Sequence, residues 1–226
     1  MTVKLIGIEE MRGTLKVLES GLRIGGSKEN IGIGETDNPI IRHPITNSPY
    51  VPGSSIKGKI RSLLELRDCR ASQNYGTPCD CGECPVCNLF GHPHIKKREA
   101  PPSRLLFRDC QPNQTTIKDW QEAGRDSEVK MEVLIDRRSN TAKGNIGPRA
   151  TERIPAGGEF DFSLVIRLFE GDDPSKFYRY LADGFELLGR DYLGGYGSRG
   201  YGHVAFVAED GTPFSEYLRK KAGKAS

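Results

Sequence analysis

Residues 193–202 read LGGYGSRGYG, and no other stretch restricts the chain as much. Gly194, Gly195, Gly197, Gly200 and Gly202 all fall in it, between a helical pattern ending near Gly189 and a strand pattern from His203 to Val207. Glycine lets the backbone take positive φ and lets another molecule approach closely, so the stretch is a loop. Arg199 lies inside it, with Tyr196 and Tyr201 beside it. Free amides, a guanidinium and two aromatic faces suit a phosphate and stacked bases. The plain alternative is a flexible connection.

The 226 residues suit one large domain or two small ones, long enough for a real core. No apolar run reaches membrane-spanning length, and MTVKLIGIEE lacks a signal-peptide pattern, so a cytoplasmic protein with no membrane partner is expected. The net charge of +3 argues little by itself. Its distribution says more: residues 54–70 carry five Lys/Arg against two acids, whereas residues 159–191 carry eight acids against four bases. A basic face opposite an acidic one fits a polyanionic partner.

Lys4 to Leu18 reads as a long strand, and residues 21–53 as a long loop rich in Gly, Pro and Asn. Loops of that length in compact domains are usually functional or disordered. Ser54 to Arg67 reads as a helix that Ser54 or Ser55 can cap, with Ile56, Ile60, Leu63 and Leu64 as its apolar stripe. A Cys- and Pro-rich insertion spans 68–104, and Ser103 to Asp109 is a short strand. Residues 111–158 contain no strong helix; 129–139 and 150–160 read as arms of an extended hairpin. From Phe160 to Leu168 apolar and polar residues alternate as in a half-buried strand. Asp173-Pro174 opens a helix whose core face is Phe177, Tyr180, Leu181, Phe185 and Leu188. The order strand, helix, strands, helix, strand predicts an α+β fold with a ferredoxin-like, RRM-like βαββαβ core, all within one domain, 1–226.

Three further sites carry chemistry. In PGSSIKGKIRS, Lys57 and Arg61 are four residues apart on one helical face, and the free amides after Ser54 add positive character. Gly58 between the lysines would let a backbone approach. Cys79, Cys81, Cys84 and Cys87 fall in CDCGECPVC, a density that suggests metal ligation rather than disulfides in a cytosolic chain. Four thiolates leave zinc no open position, which predicts a structural zinc; His92, His94 or Cys69 could replace one of the cysteines. In the loop NIGIGETDNPIIRHP, Asp37 could hold a hydrated divalent cation beside phosphates, although Asp-Asn-Pro is also an ordinary turn.

GLRIGG (21–26), TDNPIIRHPITNSPYVPGSSIKGKIRSLL (36–64) and YLGGYGSRGYGHVAF (192–206) together resemble the RAMP superfamily of CRISPR-associated proteins. More narrowly, the chain is similar to the backbone, third-subunit family of the type III-A (Csm) interference complex. The resemblance implies a filament of copies along a guide CRISPR RNA, contacts with other Csm subunits, and cleavage of complementary target RNA. It implies guide contacts from Ser54, Ser55, Lys57, Gly58 and Arg61 on the helix and from Gly195, Gly197, Arg199 and Gly200 on the loop. It also implies a thumb hairpin, 129–158, that interrupts the guide–target duplex, with Ile154 or its neighbours displacing a base pair. Asp37 is implied as the residue needed for cleavage dependent on a divalent cation, Mg or Mn, either binding the ion or orienting a 2′-hydroxyl. A guide-binding scaffold without catalysis is the alternative.

Overall fold

The alternation from Phe160 to Leu168 belongs to β7 (Glu159–Phe169). The computed structural model describes residues 4–25, 38–68, 77–91, 102–133, 135–142 and 149–225. β7 pairs antiparallel with β1 (Leu5–Val17), setting Leu15 opposite Phe160 and Met11 opposite Leu164. β8 (Val204–Ala208) takes the other edge of β1, and β2 (Leu105–Phe107) the other edge of β7. The sheet order is therefore β2-β7-β1-β8, every neighbour antiparallel. Successive strand residues point to opposite faces, so Phe160, Phe162, Leu164 and Ile166 meet Met11, Leu15 and Val17 in the core. The opposite face is polar over much of its length, with Ser163 donating to Glu10 and Lys16 paired with Glu159.

Helices α1 (Gly53–Asp68) and α4 (Pro174–Arg190) cover the apolar face. Ile56, Ile60 and Leu64 are fully buried, as are Leu181 and Leu188. Phe162, Phe185, Phe206 and Phe214 interlock edge to face, with ring centroids 5.1 Å apart for Phe162–Phe206 and 4.9 Å for Phe185–Phe214. Such aromatic pairs add stabilisation beyond their buried area. Asp173 caps α4 by accepting from the Lys176 amide, with Pro174 in its first turn.

The expected cap of α1 is corrected. Neither Ser54 nor Ser55 opens the helix; the amide of Gly53 donates to Asp109 Oδ1 at 2.8 Å. The acceptor comes from the end of β2, so local sequence could not reveal it. The expectation of no helix in 111–158 is also corrected by α3 (Gln114–Ala123). Asn113 caps it, Gly124 ends it in the left-handed region, and Trp120 packs edge-on against Phe160. Its apolar face is only the half-buried pair Ile117 and Trp120, too short a stripe to register as a period. A terminal helix, α5 (Phe214–Lys224), anchors through Phe214, Leu218 and Ala222. Among the described residues, no helix is long and apolar enough to cross a membrane.

The hairpin arms are β3 (Glu128–Glu132) and β6 (Arg149–Arg153), paired antiparallel. A smaller ribbon, β4 (Ile135–Asp136) with β5 (Thr141–Ala142), follows, so Ser139 lies in its turn rather than in an arm. Residues 143–148, between the two expected arms, lie outside the described residues.

Candidate nucleic-acid interface

After α4 the chain turns through the glycine-rich loop, where sequence and geometry part company. Gly194 has φ +79°, and a Cβ there would strike the carbonyl oxygen of Arg23. A Cβ on Gly197 would fall inside the Tyr192 ring. These two glycines serve packing within the chain, and only at Gly200 is the space around an added Cβ open. Tyr196, a non-glycine residue, holds φ +64°, a conformation L residues adopt rarely. Its ring carries the guanidinium groups of Arg23 and Arg199, each 4.7 Å from the centroid. Tyr201 lies 5.8 Å from it, with Lys130 at 4.6 Å and Arg153 at 5.2 Å over its own ring. Burial and the Glu132 carboxylate push the Tyr201 phenol up to about 12. Below the loop is an open cavity of about 550 Å³, lined by Glu19, Tyr192, Ser198, Tyr201 and His203 among others.

Arg199 is not free: it pairs with Glu132 of β3 at 2.5 Å. Arg153 pairs with Glu128 at 2.7 Å and donates to the Ser20 carbonyl. The loop is thereby fastened to the base of the hairpin.

Asp37 lies outside the described residues, as do Glu35, Cys69, His92 and His94. The segment that follows Asp37 is firmly held. Asn38 bridges Thr151, and its carbonyl accepts from the Glu152 amide at 3.2 Å. Glu152 Oε2 accepts from the Ile40 amide, while Oε1 accepts from Arg42 at 2.7 Å and Ser127 at 2.7 Å. Arg42 also grips Asp126 through both carboxylate oxygens. Burial alone would raise the Glu152 carboxyl, but Arg42, the Ile40 amide and Ser127 outweigh it and hold the group below its usual range. His43 Nδ1 faces the amides of Ile45 and Thr46 at 3.3 Å, a local turn contact.

On α1, Lys57 and Arg61 share a half-buried face turned to the protein. Lys57 Nζ donates to Ser103 Oγ at 3.0 Å and the Leu105 carbonyl at 3.1 Å. Burial first, then the charges of Arg61 and Arg167, lower its ammonium from the usual value. Arg61 pairs with Glu65 at 2.8 Å and donates to the Cys79 carbonyl at 2.9 Å. Ser54 and Gly58 are exposed, Ser55 is half-buried, and nothing lies within 4 Å of a Cβ placed on Gly58.

Of Ile154 and its neighbours, expected to displace a base pair, Ile154 itself is buried. Ile154 is 1% exposed and exchanges backbone hydrogen bonds with Leu22 at 2.8 and 2.9 Å, so its side chain is core. Among the described residues, the exposed large apolar side chains of the hairpin are Val129, Met131, Val133 and Ile135, all 49% exposed or more. Their spacing of two puts the β3 members on one face. The alternation is legible in VKMEVLI, residues 129–135.

Cys79, Cys81, Cys84 and Cys87 come together with their Sγ atoms all within 4.8 Å of one another. Tetrahedral ligation at about 2.3 Å per thiolate sets neighbouring sulfurs about 3.8 Å apart. The Cys79–Cys84 and Cys81–Cys87 separations are 3.8 and 3.9 Å, so the cluster fits one metal ion. The Cys84 amide donates to Cys81 Sγ and the Cys87 amide to Cys84 Sγ. Cys84 thus both contributes a thiol and caps α2 (Pro85–Phe90). The Glu83 amide leads the influences that lower the Cys81 thiol to about 7, whereas burial pushes Cys79 and Cys87 up. The Cys79 amide donates to Glu65, which with Arg61 ties the cluster to α1.

The sequence pattern of the RAMP superfamily matches residues 14–205. The chain belongs to the RAMP superfamily. Among its RAMP relatives, the CRISPR system Cms endoribonuclease Csm3 of Methanothermobacter thermautotrophicus is 39% identical over 223 residues, covering 92% of this chain and 87% of that protein. Csm3 of Methanocaldococcus jannaschii is 43% identical over 196 residues, covering 84% and 75%. The fold is similar to a chain of the Csm3–Csm4 subcomplex of the type III-A CRISPR-Cas interference complex, with a TM-score of 0.61 at 25% identity over 99% and 98% of the two chains. The RAMP match takes in the loop, hairpin and cysteine cluster; α5 lies beyond it.

Proposed function

We propose that the chain is the guide-RNA-binding backbone subunit of a type III-A effector complex and cleaves complementary target RNA at regular intervals. Copies of it form a filament on the guide CRISPR RNA beside other Csm subunits, in the cytoplasm. The observation that carries this reading is the convergence of distant segments on one cationic and aromatic platform. Residues 20–25, 38–42, 126–132, 149–154 and 193–202 meet through Arg42–Glu152, Arg153–Glu128 and Arg199–Glu132. The four-stranded sheet, with α1 between β1 and β2 and α4 between β7 and β8, supports a ferredoxin-like core.

In this reading the guide backbone passes over Ser54, Ser55, Gly58 and the loop of Gly195, Gly197, Arg199 and Gly200. Lys57 has a third ammonium proton and Arg61 further guanidinium protons beyond those spent on Ser103, Leu105, Glu65 and Cys79. These face phosphates without releasing the protein contacts. The thumb, 129–158, opens the guide–target duplex with Val129, Met131 and Val133 in place of Ile154. Four thiolates hold a structural zinc that staples the insertion 68–104 to α1.

Cleavage proceeds by attack of a ribose 2′-hydroxyl on the adjacent phosphorus. The hydroxyl proton passes to solvent, the 2′-oxygen bonds to phosphorus, the bond to the 5′-oxygen breaks and that oxygen takes a proton from solvent, giving a 2′,3′-cyclic phosphate and a 5′-hydroxyl. Asp37 serves this step, and the anchored residues 38–42 fix the chain beside it. The divalent cation, Mg or Mn, supplies charge stabilisation at the phosphate when bound. The test is a gel of labelled target RNA cut by the assembled complex, wild type against Asp37→Ala, with and without Mg²⁺. Evenly spaced cuts that vanish in the variant, with target binding intact, support the proposal. Cuts that persist leave the chain as a scaffold.

A further inference from the structure

The four clustered cysteines are not positioned in the same way. Cys81, Cys84 and Cys87 stand at every third position, and the turn that carries them is tied together by its own amides. That of Cys84 donates to Cys81 Sγ at 3.3 Å and that of Cys87 to Cys84 Sγ at 3.4 Å. The turn runs on into α2, which buries Val86, Leu89 and Phe90. Cys79 lies ahead of the turn, and its peptide groups are held from α1. Its amide donates to Glu65 Oε1 at 2.9 Å, and its carbonyl accepts from Arg61 Nη2 at 2.9 Å. Arg61 and Glu65 are four residues apart on the helix and bind each other, with Arg61 Nε 2.8 Å from the same Glu65 Oε1.

The result is a closed ring of three hydrogen bonds. One ion pair of α1 holds both the N–H and the C=O of a cysteine 14 residues beyond Glu65 and 18 beyond Arg61. Fixing the peptide groups on both sides of a residue also fixes the direction of its Cα–Cβ bond. The Cys79 side chain is thereby aimed at the other thiols, its Sγ 3.8 Å from that of Cys84. The ring is shielded from water: the side chains of Arg61 and Glu65 are 17% and 18% exposed, and Cys79 is buried. Hydrogen bonds with an ionised partner are roughly twice as strong as neutral ones, and partial burial spares these much of the screening that weakens a surface pair. An ordinary pair at this spacing supports only its own helix. Here each member also spends a bond on the same ligand residue. Cys87 Sγ reaches the Cys79 carbonyl too, at 3.3 Å, so Arg61 and a second cysteine of the cluster meet at one oxygen.

We propose that Arg61 and Glu65 are positioning residues of the metal site, which present the Cys79 thiolate from α1 and so set the affinity for the ion. The inference rests on the reading of the four cysteines as a zinc site and does not depend on guide binding by α1. Three thiolates come from a turn organised by its own amides, and the fourth is delivered by a helix of the core. Ion binding then joins the insertion to α1, with Cys79 as the junction. Groups that orient a ligand without touching the ion commonly contribute about 10–100-fold to metal affinity.

The test is competition for Zn²⁺ between the full, reduced chain and a colorimetric chelator of known affinity. Wild type is compared with Glu65→Ala, Arg61→Met and Glu65→Gln, each also made in a Cys79→Ala background, and melting of the metal-free proteins is recorded. Glu65→Ala and Arg61→Met are each expected to weaken zinc binding roughly tenfold or more. Glu65→Gln keeps a carbonyl oxygen for the Cys79 amide and is expected to recover most of that loss. Once the Cys79 thiol is gone the pair has no ligand to present, so neither variant should add to the loss from Cys79→Ala. Such non-additivity marks residues that act through one another. Arg61→Met keeps the side-chain stem, so it decides the question if Glu65→Ala does not fold. Unchanged zinc affinity in both single variants overturns the proposal. So does an equal further loss in the Cys79→Ala background, which would make the pair a general support of the fold. Wild type that takes up no zinc overturns the metal reading itself, and that failure is seen before any variant is compared.

Discussion

Arg42 Nη2 lies 2.7 Å from Glu152 Oε1 across 110 residues of sequence. The pair joins the segment after Asp37 to the base of the thumb, and Asp126, Ser127 and the Ile40 amide complete the network. Removing one partner strands the other partly buried charge. Arg42→Ala and Glu152→Ala should each destabilise the chain by about 2 kcal/mol, below the value for a fully buried pair because Arg42 retains some solvent contact. Urea unfolding measures this. Glu152 is held below its usual carboxylate range in the folded chain. Its contribution is therefore present above the unfolded value and lost as pH falls through the folded one. Glu152→Gln should flatten the acid limb of the stability profile, and an identical acid limb would refute the assignment.

The cysteine cluster makes a prediction about order of reaction. With metal removed, Cys81 is exposed and its thiol sits at about 7, whereas Cys110 is buried and pushed up to about 12 by burial. The thiolate is the reactive form. Iodoacetamide at neutral pH should modify Cys81 first in metal-stripped protein and Cys110 only after unfolding. Elemental analysis before stripping should find about one zinc per chain, and bound metal should protect Cys81. Iron in place of zinc, or equal labelling of all thiols, would contradict this.

How much could be read in advance depends on whether the cause was local. β7, α1 and α4 were legible because their apolar residues recur at strand or helix spacing, and the cluster of four cysteines was legible because they lie within nine residues. The cap of α1 was not, since Asp109 lies just past β2, 56 residues away. Helix α3 was missed because its apolar face is two residues. Helix α5 could have been found, as Phe214, Leu218 and Ala222 stand at helical spacing. Among site residues, the helical spacing of Lys57 and Arg61 shows two cations on one face, but their contacts to Ser103, Leu105 and Cys79 depend on the fold. The Arg42–Glu152 pair has no sequence signal at all, because its proximity is a product of the fold.

Gly58 separates helix stability from guide contact. It sits inside α1, exposed, with nothing within 4 Å of an added Cβ. Gly58→Ala should therefore stabilise the free chain by about 1 kcal/mol through helix propensity. If the guide backbone passes over this position, the same methyl should weaken guide binding. Thermal melting and RNA titration on one variant should move in opposite directions. Unchanged binding would remove Gly58 from the interface while leaving the helix argument intact.

The thumb offers the sharpest separation of folding from function. Val129 and Met131 are more than half exposed, on a ribbon whose partner strand sends Ile154 into the core. Exposed substitutions away from buried features usually shift stability by less than about 0.5 kcal/mol. Val129→Ser with Met131→Ser should leave melting and guide binding unchanged, because the proposed guide contacts lie on α1 and the glycine-rich loop. Without an apolar wedge, the guide–target duplex should stay continuous past the thumb, and target cleavage should slow at every site or lose its even spacing. A titration of target RNA and a cleavage gel on the assembled complex read both effects. Normal spacing and rate in the double variant would mean that the stripe does not enter the duplex. Ile154→Ala should act the opposite way: deleting a fully buried side chain destabilises by about 2–5 kcal/mol, and in whatever fraction remains folded the spacing of the cuts should be normal.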